Sequence, residues 1–241
     1  MEIFDLMSKP EYERKARDLN KKGWPKYLLN WECPGWDEIF IYFKKYQVII
    51  SEKGELSAAG FTVPLFYQGD LNKIEDDISV LILTALAQNR EKVKPNILLA
   101  ISAVVDEKNK GKGLSSILLK EMKNKAVSEK IKSVILPTRP ILKHKYPLIP
   151  IEEYCLWKNE KGEAFDPWTR LHFKMGGKII KTSQSCISIK GSSAQWKEWT
   201  ELEIPYSGSY IIPGGLSPMR YEKSSDIGIY NMPCVWMEYP L

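Results

Sequence analysis

The chain of 241 residues has no apolar run approaching the ~20 residues that a membrane helix needs. Its longest candidate, Ile97 to Val105, is interrupted by Ser102. Internal repeats and low-complexity linkers are absent, and the first residues, MEIFDLMSKPEYERK, carry acids before bases with no apolar stretch or small-residue cleavage site. A soluble, cytoplasmic protein with no membrane partner is therefore expected. Cysteine is scarce and scattered: Cys33, Cys155, Cys186 and Cys234 form no CxxC pair, and the only histidines are His144 and His172. Neither a metal site nor a disulfide framework is indicated, so the expectation is reduced thiols throughout. The formal charge of +5 is spread along the chain rather than gathered into a basic stripe, which argues against a nucleic-acid partner.

What is present is apolar material, 44% of residues with 11% aromatic, enough for one elaborated domain with a sizeable core. Glu11 to Asn20 reads as a charged helical stretch. "YQVIIS" and "LSAAGFTVPLFYQG" around "EKGE" read as an antiparallel hairpin, with Pro64 marking an edge or a bulge. From Asp70 to Gln88, Leu71, Ile74, Ile78, Leu81, Ile82, Ala85 and Leu86 follow the spacing of a helix with one buried face. "PNILLAISAVV" is a β run. Leu114, Ile117, Leu118, Met122 and Ala126 make the stripe of a second helix, and "IKSVILP" is a buried strand stopped by Pro137. Hairpin, helix, strand, helix, strand implies an α/β or α+β fold on a mixed sheet. The connection from Thr138 to Phe165 is long enough to serve as a lid or binding wall.

Between the β run and the second helix lies "VVDEKNKGKGLSS", with a local excess of lysine at Lys108, Lys110, Lys112, Lys120, Lys123 and Lys125. It is not a P-loop, because Gly113 rather than Ser or Thr follows Lys112 and no glycine stands five residues before Gly111. As a dinucleotide fingerprint it is poor, since Ser116 replaces the third glycine and an antiparallel hairpin precedes it. What remains is a strand, a loop without bulk, and a helix N-terminus whose free N–H groups and dipole favour an anion.

These residues resemble the acyl-CoA-binding motif of the GNAT superfamily of N-acyltransferases, Gln/Arg-x-x-Gly-x-Gly/Ala after the fourth strand. Lys108 stands at the Gln/Arg position, Gly111 and Gly113 are in register, and Ser115 occupies a further small position. The resemblance implies a mixed, mostly antiparallel central sheet flanked by helices, in a single domain over residues 1–241. Its core would span about 46–190, with an N-terminal elaboration over 1–45 and a C-terminal extension over 191–241. It implies binding of acetyl-CoA or another acyl-CoA through Val104, Val105, Lys108, Asn109, Lys110, Gly111, Lys112, Gly113, Leu114 and Ser115, with no metal. The acyl group would pass directly to the amine of a small molecule. "LHFKMGGKII" looks like the end of the family's fourth helix, which puts His172 where many members carry a Tyr that protonates the leaving thiolate. "RPILKHKYPLIPIEEYCLWKN" and the C-terminal segments are similar to a group of stand-alone bacterial GNAT proteins.

An amine with a pKa near 10.4 needs roughly 4 to 5 kcal/mol to reach its nucleophilic form at neutral pH, so an acid-base group is useful. The candidates are His172, His144 and Glu152, with Glu153 and Asp166 behind them. Asp166 also reads as a helix N-cap in "FDPW", and Glu152 with Glu153 as a helix N-terminal pair. Tyr146, Tyr154, Trp157 and Trp168 are either packing or an acceptor pocket; Trp196 and Trp199 read as core. A cysteine relay through Cys155 or Cys186 has no neighbouring base to support it. A second reading is an acyl-CoA-binding sensor or interaction module that transfers nothing. The segment from Gly191 onward is read as completing the sheet, covering its edge, or pairing with a second copy in a homodimer.

Overall fold

In the computed structural model, which describes residues 1–241, nine strands and seven α-helices alternate along the chain. They are β1 (Glu2–Asp5), α1 (Glu13–Lys22), α2 (Ile39–Tyr42), β2 (Val48–Glu52), β3 (Glu55–Leu65), α3 (Ile78–Arg90), β4 (Ile97–Val105) and α4 (Leu114–Ser128). There follow β5 (Ser133–Thr138), α5 (Ile151–Tyr154), α6 (Pro167–Lys174), β6 (Lys178–Gly191), α7 (Ser193–Thr200), β7 (Gly208–Tyr210), β8 (Met219–Glu222) and β9 (Ile227–Pro240). Strand pairing is mixed and mostly antiparallel, with β4 and β5 parallel. Two compact units divide the chain: Met1–Trp24, Cys33–Pro137 and Met237–Leu241 form the first, Pro25–Glu32 and Thr138–Trp236 the second.

In the first unit the strands run β1-β2-β3-β4-β5, with the last residues of β9 beside β5. The hairpin of β2 and β3 follows from the alternating sequence around Lys53 and Gly54. Pairing of β2 ends at Gly60, so Pro64 lies beyond it, where its missing N–H costs no bond to β2. From Ala58 to Leu65, β3 is buried at every position, because α1, α3 and α4 pack on it. On α4 the buried residues are Leu114, Leu118, Leu119, Met122 and Ala126; Ile117 is only half-buried.

Two sequence expectations change here. The helix expected from Asp70 begins only at Ile78, and Leu71–Lys73 is a separate 3-10 turn. Short acids compete with the helix: Asp70 accepts from Asn72 N (3.0 Å), Glu75 Oε1 from Asp76 N and Asp77 N, and Asp77 caps α3 through Ser79 N (2.8 Å). Nor does Pro137 stop β5, which continues through it to Thr138.

In the second unit β9 pairs with β6 and β8, and β7 pairs with β8. Cys186 on β6 and Cys234 on β9 are joined in a disulfide, with Cα atoms 6.3 Å apart, which corrects the expectation of four reduced thiols. Their sequence separation of 48 hid the pairing; adjacent strands create it. Trp196 is fully buried and donates its Nε1–H to Gly228 O (3.1 Å), whereas Trp199 is half-buried rather than core. The long connection from Thr138 is not bare loop: it contains a 3-10 turn at Lys143–Lys145, α5, and an isolated bridge between Lys158 and Ala164.

Candidate functional site

The glycine corner is built by three successive devices. Asp106 ends β4 and accepts from Lys108 N (3.0 Å), which starts a 3-10 turn over Glu107–Asn109. Gly111 (φ 80°) and Gly113 (φ 76°) then turn the chain through left-handed conformations, and α4 begins at Leu114 with Gly113 as its N-cap. A Cβ on either glycine would meet nothing within 4 Å, so their role is backbone conformation and open approach rather than packing.

Donor accounting narrows the expected cradle. The N–H groups of Asn109, Lys110 and Lys112 bond to Asp106 O, Glu107 O and Asn109 O, and so hold the turn itself. Those of Ser116 and Ile117 go to Gly113 O. Gly111, Gly113, Leu114 and Ser115 are left to donate outward, at the positive end of a 15-residue helix. Lys112 Nζ bonds to Asn109 Oδ1 (2.7 Å) and Lys110 pairs with Glu107, while Lys108 is exposed.

Beside the corner, β4 is irregular on both edges. Its register against β3 passes from Phe61↔Ser102 to Thr62↔Ala100, leaving Ile101 as a bulge. Against β5 it pairs only at Ile97, Leu98 and Leu99. From Ala100 to Val105 the edge that faces away from β3 carries backbone groups not used by β5. The end of α1 closes on this stretch: Ser102 Oγ donates to Asn20 Oδ1 (2.5 Å), and a Cβ on Gly23 would come within 2.7 Å of Val104 Cγ1. Val104 is buried and Val105 half-buried.

The acid-base candidates all belong to the second unit, each with its own partner. His172, on α6, is fully buried, packs edge-on against Trp168 with ring centroids 4.6 Å apart, and is pushed down to about 4 by burial. A neutral, enclosed imidazole suits packing and is a poor proton donor to a thiolate. Exposed His144 places Nδ1 2.8 Å from Ile141 O; since a carbonyl only accepts, Nδ1 is the donor in that contact. Glu152 is exposed and takes both bonds from Gln184 Nε2 (2.6 and 2.8 Å). Cys155 is pushed up, chiefly by burial, and Cys186 is disulfide-bonded, so neither has the chemistry of an acyl relay.

Tyr146, Tyr154, Trp157 and Phe165 pack on one another with centroids 5.0 to 6.1 Å apart, which favours packing over an open pocket. Asp166 anchors them. Its Oδ1 accepts from Trp168 N and Thr169 N, and its Oδ2 from Leu142 N (2.8 Å) and Tyr154 OH (3.2 Å). Substituting Asp166→Ala strips an N-cap and orphans buried donors, for an expected loss of about 2 kcal/mol in urea denaturation. A loss no larger than that of Glu160→Ala, at an exposed position, contradicts this account. Sequence reasoning missed Lys143, 1% exposed, whose Nζ donates to Tyr146 O (2.8 Å) and Leu216 O (2.7 Å) and is pushed down to about 8 by burial. It also missed Arg139, whose Nη2 donates to Gly214 O (2.5 Å). A lone basic residue between prolines, "PTRP", was the one available signal for Arg139.

No protein-family model matches the chain. Its sequence is 26% identical to the arginine N-acetyltransferase avaD of Aspergillus versicolor, across 100% of this chain and 91% of that protein. The loading GNATL domain of CurA from Lyngbya majuscula aligns with a TM-score of 0.64 at 16% identity, across 99% of this chain and 96% of that one. The chain has the GNAT fold. A further GNAT structure, the GphF GNAT-like decarboxylase in complex with isobutyryl-CoA, aligns with a TM-score of 0.61 at 13% identity, across 100% and 99% of the two chains. At such identities the structural likenesses establish the GNAT fold. The sequence relative is fungal, and the narrower resemblance to stand-alone bacterial GNAT proteins has no counterpart in it. No helix of the chain is long and apolar enough to cross a membrane.

Proposed function

We propose that the chain is an acyl-CoA-dependent N-acyltransferase that passes an acyl group, acetyl in the first instance, directly to the amine of a small molecule. The observation that carries this reading is the corner of Gly111, Gly113, Leu114 and Ser115, with four outward N–H groups at the N-terminus of α4 beside the unpaired edge of β4. Those N–H groups fit a pyrophosphate, and Lys108 and Lys112 add sequence-independent attraction. When bound, acyl-CoA supplies an acyl group already activated as a thioester.

The chain's own part is to bind and orient. The open edge from Ala100 to Val105 offers backbone donors and acceptors to an extended arm, and one of those donors would polarise the thioester carbonyl. The amine nitrogen attacks that carbonyl, the C–N bond forms, the C–S bond breaks, and the amine loses one proton as CoA leaves. The proton that the amine loses is taken up by the departing CoA thiolate. The similarity to an arginine N-acetyltransferase supports a small amine as acceptor.

The test is release of the CoA thiol, followed with a thiol-reactive dye, from acetyl-CoA against a panel of amino acids, polyamines and arylalkylamines. Amine-dependent release is expected. Tight acetyl-CoA binding with no release on any amine would instead identify a sensor, and no binding at all would remove the donor-site assignment.

A further inference from the structure

Of the three long helices in the first unit, α3 alone presents no charge along its outer face before its last residue. On α1, Arg14, Lys15 and Asp18 are exposed, and on α4 Lys120 and Asn124. From Ile78 to Asn89, α3 carries no charged residue at all. Its buried residues, Ile78, Leu81, Ile82, Ala85 and Leu86, line the side packed on β3. The other side repeats Val80, Leu83, Thr84 and Ala87, spaced i, i+3, i+4 and i+7, with Val80 and Leu83 still 43% and 44% exposed. α2 packs on α3 and adds Ile41 and Tyr42, 65% and 50% exposed. A helix that is apolar all round is ordinarily covered all round, and an apolar patch of this kind marks a contact surface.

The charges at the two ends of α3 say what covers it. The entry is acidic, with Glu75, Asp76 and Asp77 in succession and a single base, Lys73, before them. Glu38 joins this end: its charge and that of Asp77 both reach Cys33, whose thiol is pushed up chiefly by burial and further by the two acids. The exit is basic, with Arg90, Lys92 and Lys94 exposed and only Glu91 opposing them. An acidic or a basic partner would match one end and be repelled by the other. A second copy turned antiparallel matches both, and it also sets opposed helix dipoles side by side.

We propose that two copies of the chain associate through this face, as an antiparallel pair of α3 helices related by a two-fold axis and flanked by α2. With the axis between Leu83 and Thr84, Leu83 meets Thr84 of the other copy, Val80 meets Ala87, Arg90 meets Asp77, and Lys92 meets Glu75. The one like-charged meeting, Asp76 with Glu91, is outweighed by those two pairs. Both helices belong to the first unit, and the pairing is independent of the acyltransferase reading. The face is small beside the roughly 800 Å² per partner of a standard interface, so a dissociation constant on the order of micromolar is expected.

Sedimentation equilibrium of the whole chain, from about 1 to about 100 µM, is the experiment. The mass should climb from 27.8 kDa toward twice that value. Leu83→Glu sets like charges beside the axis and should weaken the dimer about tenfold or more, with an unchanged circular dichroism spectrum because the residue is exposed in the single chain. Should that variant fail to fold, Ala87→Glu, also at an exposed position, takes its place. Lys92→Glu should weaken association severalfold, and adding Glu75→Lys should restore it, since the reversed pair attracts again. A chain that stays at 27.8 kDa throughout overturns the proposal, whether the face then serves another protein or none. So does a dimer that persists in the Glu variants, which would have formed through another face. A dimer sensitive to Leu83→Glu but indifferent to the charge reversals also overturns it, because the antiparallel register requires those pairs.

Discussion

Gly113→Asp is expected to weaken acetyl-CoA binding by about 100-fold, close to 3 kcal/mol, while leaving thermal stability within a few degrees. The fold has room for the side chain, since a Cβ at Gly113 meets nothing within 4 Å. Aspartate also tolerates left-handed backbone better than most residues, so a φ of 76° costs it little. Placed at the N-cap of α4, its carboxylate takes the N–H groups and the dipole that a pyrophosphate would otherwise use. It therefore competes with the ligand from within and repels what remains outside. Gly113→Ala, which brings the backbone strain without the charge, should cost about tenfold or less. Calorimetric titration with acetyl-CoA measures both, and an Asp variant that binds within threefold of the unaltered chain rules out the corner as the donor site.

The second large effect concerns acid stability. His172 is fully buried and pushed down to about 4 from its ordinary 6.5. Above pH 6.5 neither the folded nor the unfolded chain protonates this ring. Between 6.5 and 4 the unfolded chain binds a proton that the folded chain excludes, so stability falls as pH falls through that window and the loss levels off below about 4. The shift corresponds to about 3 kcal/mol. His172→Phe keeps an aromatic ring against Trp168 and should remove that component. Urea denaturation at pH 7 and pH 4.5 is the measurement. Parallel losses in the two proteins would mean that the imidazole is solvated or paired in a way that burial does not convey.

The elements carried by local pattern were legible in the sequence. The charged helix α1, the hairpin of β2 and β3, the apolar run of β4 and the stripe of α4 all follow from spacing over a dozen residues. So does the cap at Asp166, whose acid is followed by proline. Elsewhere local hydrogen bonding overruled periodicity: Asp70, Glu75 and Asp77 break what the apolar spacing alone would continue as a helix. The corner was found because its residues are consecutive, and only donor accounting showed that Asn109, Lys110 and Lys112 serve the turn rather than the ligand. Distant pairings stayed hidden. Cys186 meets Cys234 across neighbouring strands, and Tyr27, Arg139, Gly214 and Tyr230 come together from four separate parts of the chain. None of these residues carries a pattern that names its partner.

The division of β9 has a consequence for synthesis on the ribosome. Its first ten residues, Ile227 to Trp236, belong to one unit, and Met237 to Leu241 return to the unit that contains residue 1. There they lie along β5, where Leu241 N bonds to Lys132 O (2.9 Å). While translation proceeds from Thr138 to Trp236, that edge of β5, with the apolar side chains of Val134 and Ile135, has no strand beside it. An uncovered apolar edge invites pairing with another nascent chain, so a chain halted before Met237 should be markedly more dependent on chaperones than one that extends through Leu241.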